Sequence, residues 1–289
     1  MDFMKLLKRN KPLAIFIIVS VSLLLLVLVV IFMKFVFSNE IALVKYSLKD
    51  ENGKGGFRVI VISDLHDDLY GEGETDIISR VEESSPDLVL FAGDMTEPDS
   101  DHENMRILMT ALAEKYPCYY SSGNHEQHGD TLNFESIKKL IESTGVKVLD
   151  GDTEFVKIRG REVAICGVDN FSPDDGWQNQ IDACLGAVKD KENTYTILIS
   201  HRPDLVKRYK EYGFDLVVCG HAHGGQVRIP GILNGLYAPN QGIFPKYAGG
   251  YYNLKSTEMI VSRGLCKSRF PRVFNRPEIV VIDIGKDKQ

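Results

Sequence analysis

Paired cysteine spacings are missing from this chain. Its five cysteines, Cys118, Cys166, Cys184, Cys219 and Cys266, are odd in number, lie far apart and form no C-x-x-C, so they do not read as a disulfide framework. Four of them sit in or beside apolar runs and read as small buried side chains. A basic surplus is missing too. The net charge is −6, and because residues 1–38 carry five Lys/Arg against one Asp, a net of +4, the rest of the chain carries −10. A body of that sign repels a polyanion, which counts against nucleic acid as the natural substrate. There is also no twin-arginine pair, no internal repeat and no low-complexity block.

What is present begins with one long apolar run. Residues 13–33 contain no charge, and as a helix they would extend roughly 31 Å, the thickness of a bilayer's hydrocarbon core. A cleavable signal has an apolar core of about 7–15 residues, so the run is read as an uncleaved anchor, with removal after Ser38 as the other reading. Lys5, Lys8, Arg9 and Lys11 precede it and only Lys34 follows closely. The positive-inside rule then leaves the amino terminus in the cytoplasm and carries the rest to the extracytoplasmic side of the cell membrane. The expected division is a basic stub and signal-anchor over residues 1–38 and a single domain over 39–289.

Beyond the anchor, apolar runs recur and each stops at a polar cluster: "FRVIVISDLHDD", "PDLVLFAGD", "PCYYSSGNHE", "TYTILISHRPD" and "FDLVVCGHAHGG". Short continuous apolar runs are what strands buried on both faces look like. Residues 41–48 alternate weakly and predict an edge strand, followed by a turn at 51–56. Helical periodicity covers 74–83, 102–116, 133–143, 178–189 and 203–212, and later strands are expected at 146–149, 155–158, 162–168, 226–229, 258–261 and 278–284. Strands alternating with helices, then more strands, predict an α/β domain of mixed sheets covered by helices. In such folds ligands gather at the carboxyl ends of strands, where all five polar clusters fall.

Those clusters supply Asp64, His66, Asp94, Asn124, His201, His221 and His223, with His125 beside them. Two carboxylates, an amide oxygen and four imidazoles are too many for one tetrahedral ion and suit a pair of divalent cations, with a carboxylate between them to offset their repulsion. Asp64/His66 and His221/His223 each have i, i+2 spacing, which on an extended backbone aims both side chains to one side. Each piece alone is a weak signal, but five in order at five predicted strand ends are strong.

In this order the motifs "SDLH", "GD", "GNHE", "SHRPD" and "GHAHGGQ" resemble those of the calcineurin-like metallophosphoesterase superfamily, over roughly residues 40–285. The trailing "GGQVRIPG", "YAPNQGIFPKYAGGYY" and "FNRPEIVVI" look like its bacterial membrane-anchored branch. The resemblance implies a four-layer α-β-β-α sandwich of two mixed sheets with the site at strand ends. It implies one metal on Asp64, His66 and His223, a second on Asn124, His201 and His221, Asp94 bridging, and His125 as a non-ligand general acid or transition-state donor. Imidazole and oxygen donors favour Mn, Fe, Zn or Co over Ca or Mg. The implied activity is hydrolysis of a phosphomonoester, phosphodiester or pyrophosphate, with a lipid-linked or envelope substrate as the first choice. A silent metal-binding scaffold and a nuclease of the superfamily are the alternatives.

Other residues receive plainer readings. Asp67 and Asp68 read as a solvated loop, with support of the site or tuning of substrate charge as the other reading, Cys266 as packing, His102 as an exposed helix position, and His128 as a loop position, with the mouth of the site as the other reading. Glu126 reads as orienting its neighbours, and Arg202 as a surface ion pair with a substrate phosphate as the other reading. The aromatics between Tyr237 and Phe270 read as packing under long loops, with the rim of an amphipathic pocket for a lipid phosphate as the other reading. Arg269, Arg272 and Arg276 are candidates for phospholipid headgroups.

Overall fold

The computed structural model of the chain describes residues 11–49, 55–128, 131–171, 176–191, 193–267 and 270–285. Helix α1 (Lys11–Val36) leads into β1 (Ala42–Leu48) and β2 (Phe57–Ile62), then α2 (Thr75–Ser84), β3 (Leu88–Ala92), α3 (Glu103–Ala113), β4 (Cys118–Ser121) and α4 (Thr131–Ser143). The second half runs through β5 (Lys147–Val148), β6 (Thr153–Ile158), β7 (Arg161–Gly167), α5 (Trp177–Val188), β8 (Tyr195–Ile199), α6 (Val206–Tyr212) and β9 (Leu216–Cys219). The short strands β10 (Tyr237–Ala238), β11 (Gly242–Ile243) and β12 (Gly250–Asn253) precede β13 (Glu258–Val261) and β14 (Glu278–Ile284).

Two six-stranded mixed sheets result, in the orders β1-β14-β2-β3-β4-β5 and β12-β13-β9-β8-β7-β6. The period-2 alternation of side chains along each strand explains the layering. In β2, Phe57, Val59 and Val61 join Leu88 and Leu90 of β3 in packing against Ile165, Ile197, Ile199 and Val218 of the other sheet. Ile60 and Ile62 face the opposite way, against Ile77, Leu108 and Ile141 on α2, α3 and α4. The second sheet does the same: Leu198, Val217 and Val261 face Trp177 and Tyr209 on α5 and α6. Helices, sheet, sheet, helices is therefore the order of layers. Both faces of each central strand are buried, which is why those strands read as unbroken apolar runs.

Most expected elements are present, β13 and β14 with the expected bounds and β1 at the edge of its sheet. Three expectations need correction. Residues 226–229 form no strand, only isolated bridges from Val227 to Val273 and from Ile229 to Leu233. The helix expected over 203–212 begins as a 3₁₀ turn at Pro203–Leu205 before α6. β10, β11 and β12 were not expected, being two to four residues long without an apolar run. Residues 51–54 of the expected turn, and the basic residues Lys5, Lys8 and Arg9, lie outside the described residues.

Strands β2, β3 and β4 are parallel to one another, as are β8 and β9. Their carboxyl ends consequently open along a common edge, where Asp64, Asp94, Asn124, His201 and His221 follow. Backbone bonds tie the strand ends within each sheet there, Asp64 N–H to the carbonyl of Gly93 at 2.9 Å and Gly220 N–H to that of His201 at 3.0 Å, and Leu265 N–H joins the second sheet to the first at the Ser63 carbonyl at 3.0 Å.

Candidate metal centre

The close approach of those strand ends depends on small residues. A Cβ on Gly123 would lie 2.1 Å from Asp94 Oδ1, and one on Gly220 2.4 Å from Asp64 Oδ2. The functional residues themselves sit past the strands in the left-handed region, with φ of 52° at Asp64, 51° at His66, 52° at Asp94, 71° at His221 and 45° at His223. That conformation is uncommon for residues with a side chain and collects where a structure over-determines the backbone at a working site. It also corrects the reason given for convergence. The backbone at both pairs is not extended, and although Asp64 and His66 do face a common point, His221 and His223 face two different ones.

Among the groups of donor atoms gathered within 4.8 Å, two contain Asp94: Asp64, His66, Asp94 and His223, and Asp94, His201 and His221. Asp94 belongs to both. Its Oδ2 lies 3.1 Å from His201 Nε2 and 3.8 Å from His66 Nε2. His221 Nδ1 faces His201 Nε2 at 3.2 Å, and His223 Nε2 lies 3.6 Å from Asp64 Oδ1. Asn124 stands between Gly123, packed on Asp94, and His125, whose N–H donates to Asp94 Oδ1 at 2.8 Å.

The electrostatics of the site are those of buried groups of both signs. Burial pushes the Asp64 carboxyl up, with His201 opposing and Asp94 adding to the rise. Burial works the same way on Asp94, but His201 and His66 outweigh it and hold that carboxyl well below its usual range. Burial alone would depress His201; Asp94 reverses this and raises it to about 9. Burial and then the neighbouring His201 bring His221 down to about 4, and burial and then His66 take His223 well below its usual value.

Four buried atoms, Asp64 Oδ2, His66 Nε2, Asn124 Oδ1 and His223 Nδ1, have no hydrogen-bond partner among the described residues. Each such orphan costs about 1–3 kcal/mol, and four at one edge call for an explanation. All four are metal-donor atoms of the hard-to-borderline kind, so the residues present fit divalent cations.

Around them lies a shell that sequence reasoning saw only in part. Glu126, expected to orient its neighbours, is fully buried and accepts the N–H groups of Asp94, Met95, Thr96 and Gly123. Glu97 was not anticipated. Its two oxygens lie 2.7 Å from His66 Nδ1 and 2.8 Å from His125 Nδ1, and the bonds from His66 and then His125 pull it down to about 2 against its partial burial. Asn240 Oδ1 lies 2.7 Å from His221 Nε2, and Asn275 Nδ2 donates to the His223 carbonyl at 2.7 Å. Holding one ring nitrogen fixes which nitrogen is left for an ion. Asn240 and Asn275 stood within the recognised stretches "YAPNQGIFPKYAGGYY" and "FNRPEIVVI", while Glu97 stood in none.

The remaining expectations divide. Asp67 and Asp68 are not a solvated loop: Asp67 Oδ1 accepts the Met105 N–H in the first turn of α3 at 2.9 Å, and Asp68 Oδ2 accepts the Lys267 N–H at 2.6 Å. His102 is not on an exposed helix face either, because it precedes α3 with φ 61° and places Nδ1 2.6 Å from Thr96 Oγ1. Arg202 pairs with Asp204 at 2.6 Å. Arg272 is buried, its Nε donating to the Cys266 carbonyl at 2.7 Å, which removes it from any headgroup. Arg276 pairs with Glu40, and Arg269 lies outside the described residues. His128 is exposed, its ring 5.1 Å from that of His125.

The fold and this histidine–carboxylate edge define a metal-dependent phosphoester hydrolase. The chain belongs to the calcineurin-like phosphoesterase family, whose model matches residues 57–225, and that family works with two metal ions. It is 27% identical over 245 residues to the uncharacterized metallophosphoesterase YkuE of Bacillus subtilis, covering 81% of this chain and 80% of that one. It is 25% identical over 232 residues to the phosphodiesterase YaeI of Escherichia coli, covering 79% and 82%. A 5'-nucleotidase precursor from Thermus thermophilus has a similar fold, at a TM-score of 0.50 and 16% identity over 74% of this chain and 50% of its own.

Proposed function

We propose that the chain is a membrane-anchored two-cation phosphoesterase acting on a lipid-linked or envelope phosphoester. In this reading Asp64, His66 and His223 hold one cation, Asn124, His201 and His221 hold the other, and Asp94 bridges them. The observation that carries it is Asp94 standing in both donor groups, because a carboxylate shared by two clusters is what keeps two cations close. Bound there, Mn, Fe, Zn or Co would acidify water and offset charge on the non-bridging phosphate oxygens.

The chain's own residues do the rest. His125 is held through Nδ1 by Glu97 and through its backbone by Asp94, leaving Nε2 to give a proton to the departing oxygen. Glu97 orients His66 and His125 together. Glu97→Gln, which keeps the shape and loses the charge, is expected to lower kcat about ten- to hundredfold and to make the enzyme easier to strip with a chelator. Steady-state kinetics with a chelator competition check both, and an unchanged kcat would show that Glu97 holds neither ring in a way that matters.

Tethering supports the substrate class. The most apolar stretch of α1 has a mean hydropathy of 3.4 and none of it is buried, so the helix is long and apolar enough to cross a membrane. Its last turns meet Phe274, whose ring lies edge-on to Phe32 at 6.2 Å and Phe35 at 5.9 Å, and whose N–H donates to the Val36 carbonyl. The next residue, Asn275, holds His223, so the anchor ends one residue from a contact to the site. Ile232, Ile243, Phe244 and Phe270 are exposed large apolar side chains of the kind that a bilayer surface would cover. With the amino terminus inside, the site faces outward over residues 39–289. The Escherichia coli relative is a phosphodiesterase, which supports a diester as the first among the ester types.

The test is hydrolysis of bis(p-nitrophenyl) phosphate by the full chain in detergent with each of the four metals, followed by phospholipids in mixed micelles and single-stranded DNA. Turnover with metal, lost on chelation and favouring the lipid ester, is expected. No turnover with any metal would leave a scaffold, and preference for DNA would leave a nuclease, which the acidic body opposes.

A further inference from the structure

Cys266 lies where the second sheet's loop crosses the first donor group. The segment after β13 is laid along the exit of β2: Leu265 N–H donates to the Ser63 carbonyl at 3.0 Å and Cys266 N–H to that of Asp64. Buried Arg272 clamps the same turn, donating to the carbonyls of Cys266 at 2.7 Å and Arg263 at 2.9 Å. The turn is thereby fixed with its side chain at the site. Cys266 Sγ and one ring nitrogen each of His66 and His223 lie within 4.8 Å of one another.

Two further observations show that this point expects an ion. The His66 side chain is 6% exposed, Glu97 takes its Nδ1, and its Nε2 has no partner among the described residues. Asp64, fully buried, leaves Oδ2 in the same condition. With a zinc–sulfur bond of about 2.3 Å and a zinc–nitrogen bond of about 2.0 Å, donors of one ion stand up to about 4.3 Å apart. The 4.8 Å envelope is within the reach of a slight turn about the cysteine's χ1.

We propose that Cys266 Sγ is a further ligand of the cation held by Asp64, His66 and His223, a soft donor that biases this position toward zinc, iron or cobalt and away from manganese. The proposal rests on the two-cation reading above and adds a residue and a metal preference to it. Thiolate favours the softer ions, whereas an all-imidazole-and-oxygen set leaves manganese competitive. As the sulfur–metal bond forms, the thiol proton passes to solvent.

The test uses the full chain in detergent, stripped with a chelator and titrated with cobalt(II), read by absorption and elemental analysis. Two cobalt ions per chain are expected, with one thiolate-to-cobalt charge-transfer band in the near ultraviolet saturating at one equivalent. Cys266→Ser and Cys266→Ala should keep the visible ligand-field bands and lose the ultraviolet one. Their preference for zinc over manganese, measured by competition, should fall about tenfold. Two bound cobalt ions without the ultraviolet band in the parent chain, or a band that survives in both variants, would overturn the role of Cys266 and leave the two-cation reading standing. A chain that binds no cobalt would overturn both.

Discussion

Asp94→Asn strips at least one cation from the chain and lowers kcat/KM by roughly a thousandfold or more, the scale on which several kcal/mol of charge stabilisation in the transition state is lost. The two carboxylate oxygens have separate duties. Oδ1 accepts the His125 N–H at 2.8 Å, while Oδ2 lies 3.1 Å from His201 Nε2 and 3.8 Å from His66 Nε2. An asparagine that keeps the first bond must put its NH₂ where Oδ2 was, and an amide NH₂ has no lone pair to give two ions. The backbone is spared, because the Asp94 N–H is held by Glu126 whatever the side chain. Loss of metal without loss of fold is therefore the expected signature, read by elemental analysis beside circular dichroism. Two ions per chain in Asp94→Asn would show that this carboxylate is not the bridge.

The sequence made the strands legible because burial on both faces leaves an unbroken apolar run, and it made the motifs legible because each sits where such a run stops. It could not show the backbone that follows. His221 and His223 share an i, i+2 spacing whether the chain is extended or left-handed, and only the φ values of 71° and 45° reveal that they serve different clusters. The supporting residues were hidden for another reason. Glu97 lies in an acidic loop and reaches His66 from 31 positions away, while Asn275 reaches His223 from 52. Side-chain bonds across such separations leave no local pattern. Arg272 shows the reverse error: a guanidinium in a loop reads as solvated, yet here the Cys266 and Arg263 carbonyls bury and satisfy it.

His125→Ala should separate chemistry from metal binding. The imidazole touches the site through Glu97, and its ring lies 4.4 Å from that of His66, but it belongs to neither cluster that contains Asp94. Removing it leaves the His125 backbone N–H, and with it the tie to Asp94 Oδ1, in place, so both cations should remain. What disappears is a proton donor. The loss in kcat should reach about 10²–10⁴ for esters with an alkoxide leaving group, and should shrink toward unity for p-nitrophenyl esters, whose leaving oxygen needs no proton. A plot of log kcat against leaving-group pKa would therefore be steeper for the variant than for the parent. Parallel lines, with the same loss at every leaving group, would assign His125 to charge stabilisation on phosphorus rather than to protonation of the departing oxygen. A variant as active as the parent on alkyl esters would remove His125 from the mechanism, since those are the esters whose leaving oxygen needs the proton this imidazole is assigned to give.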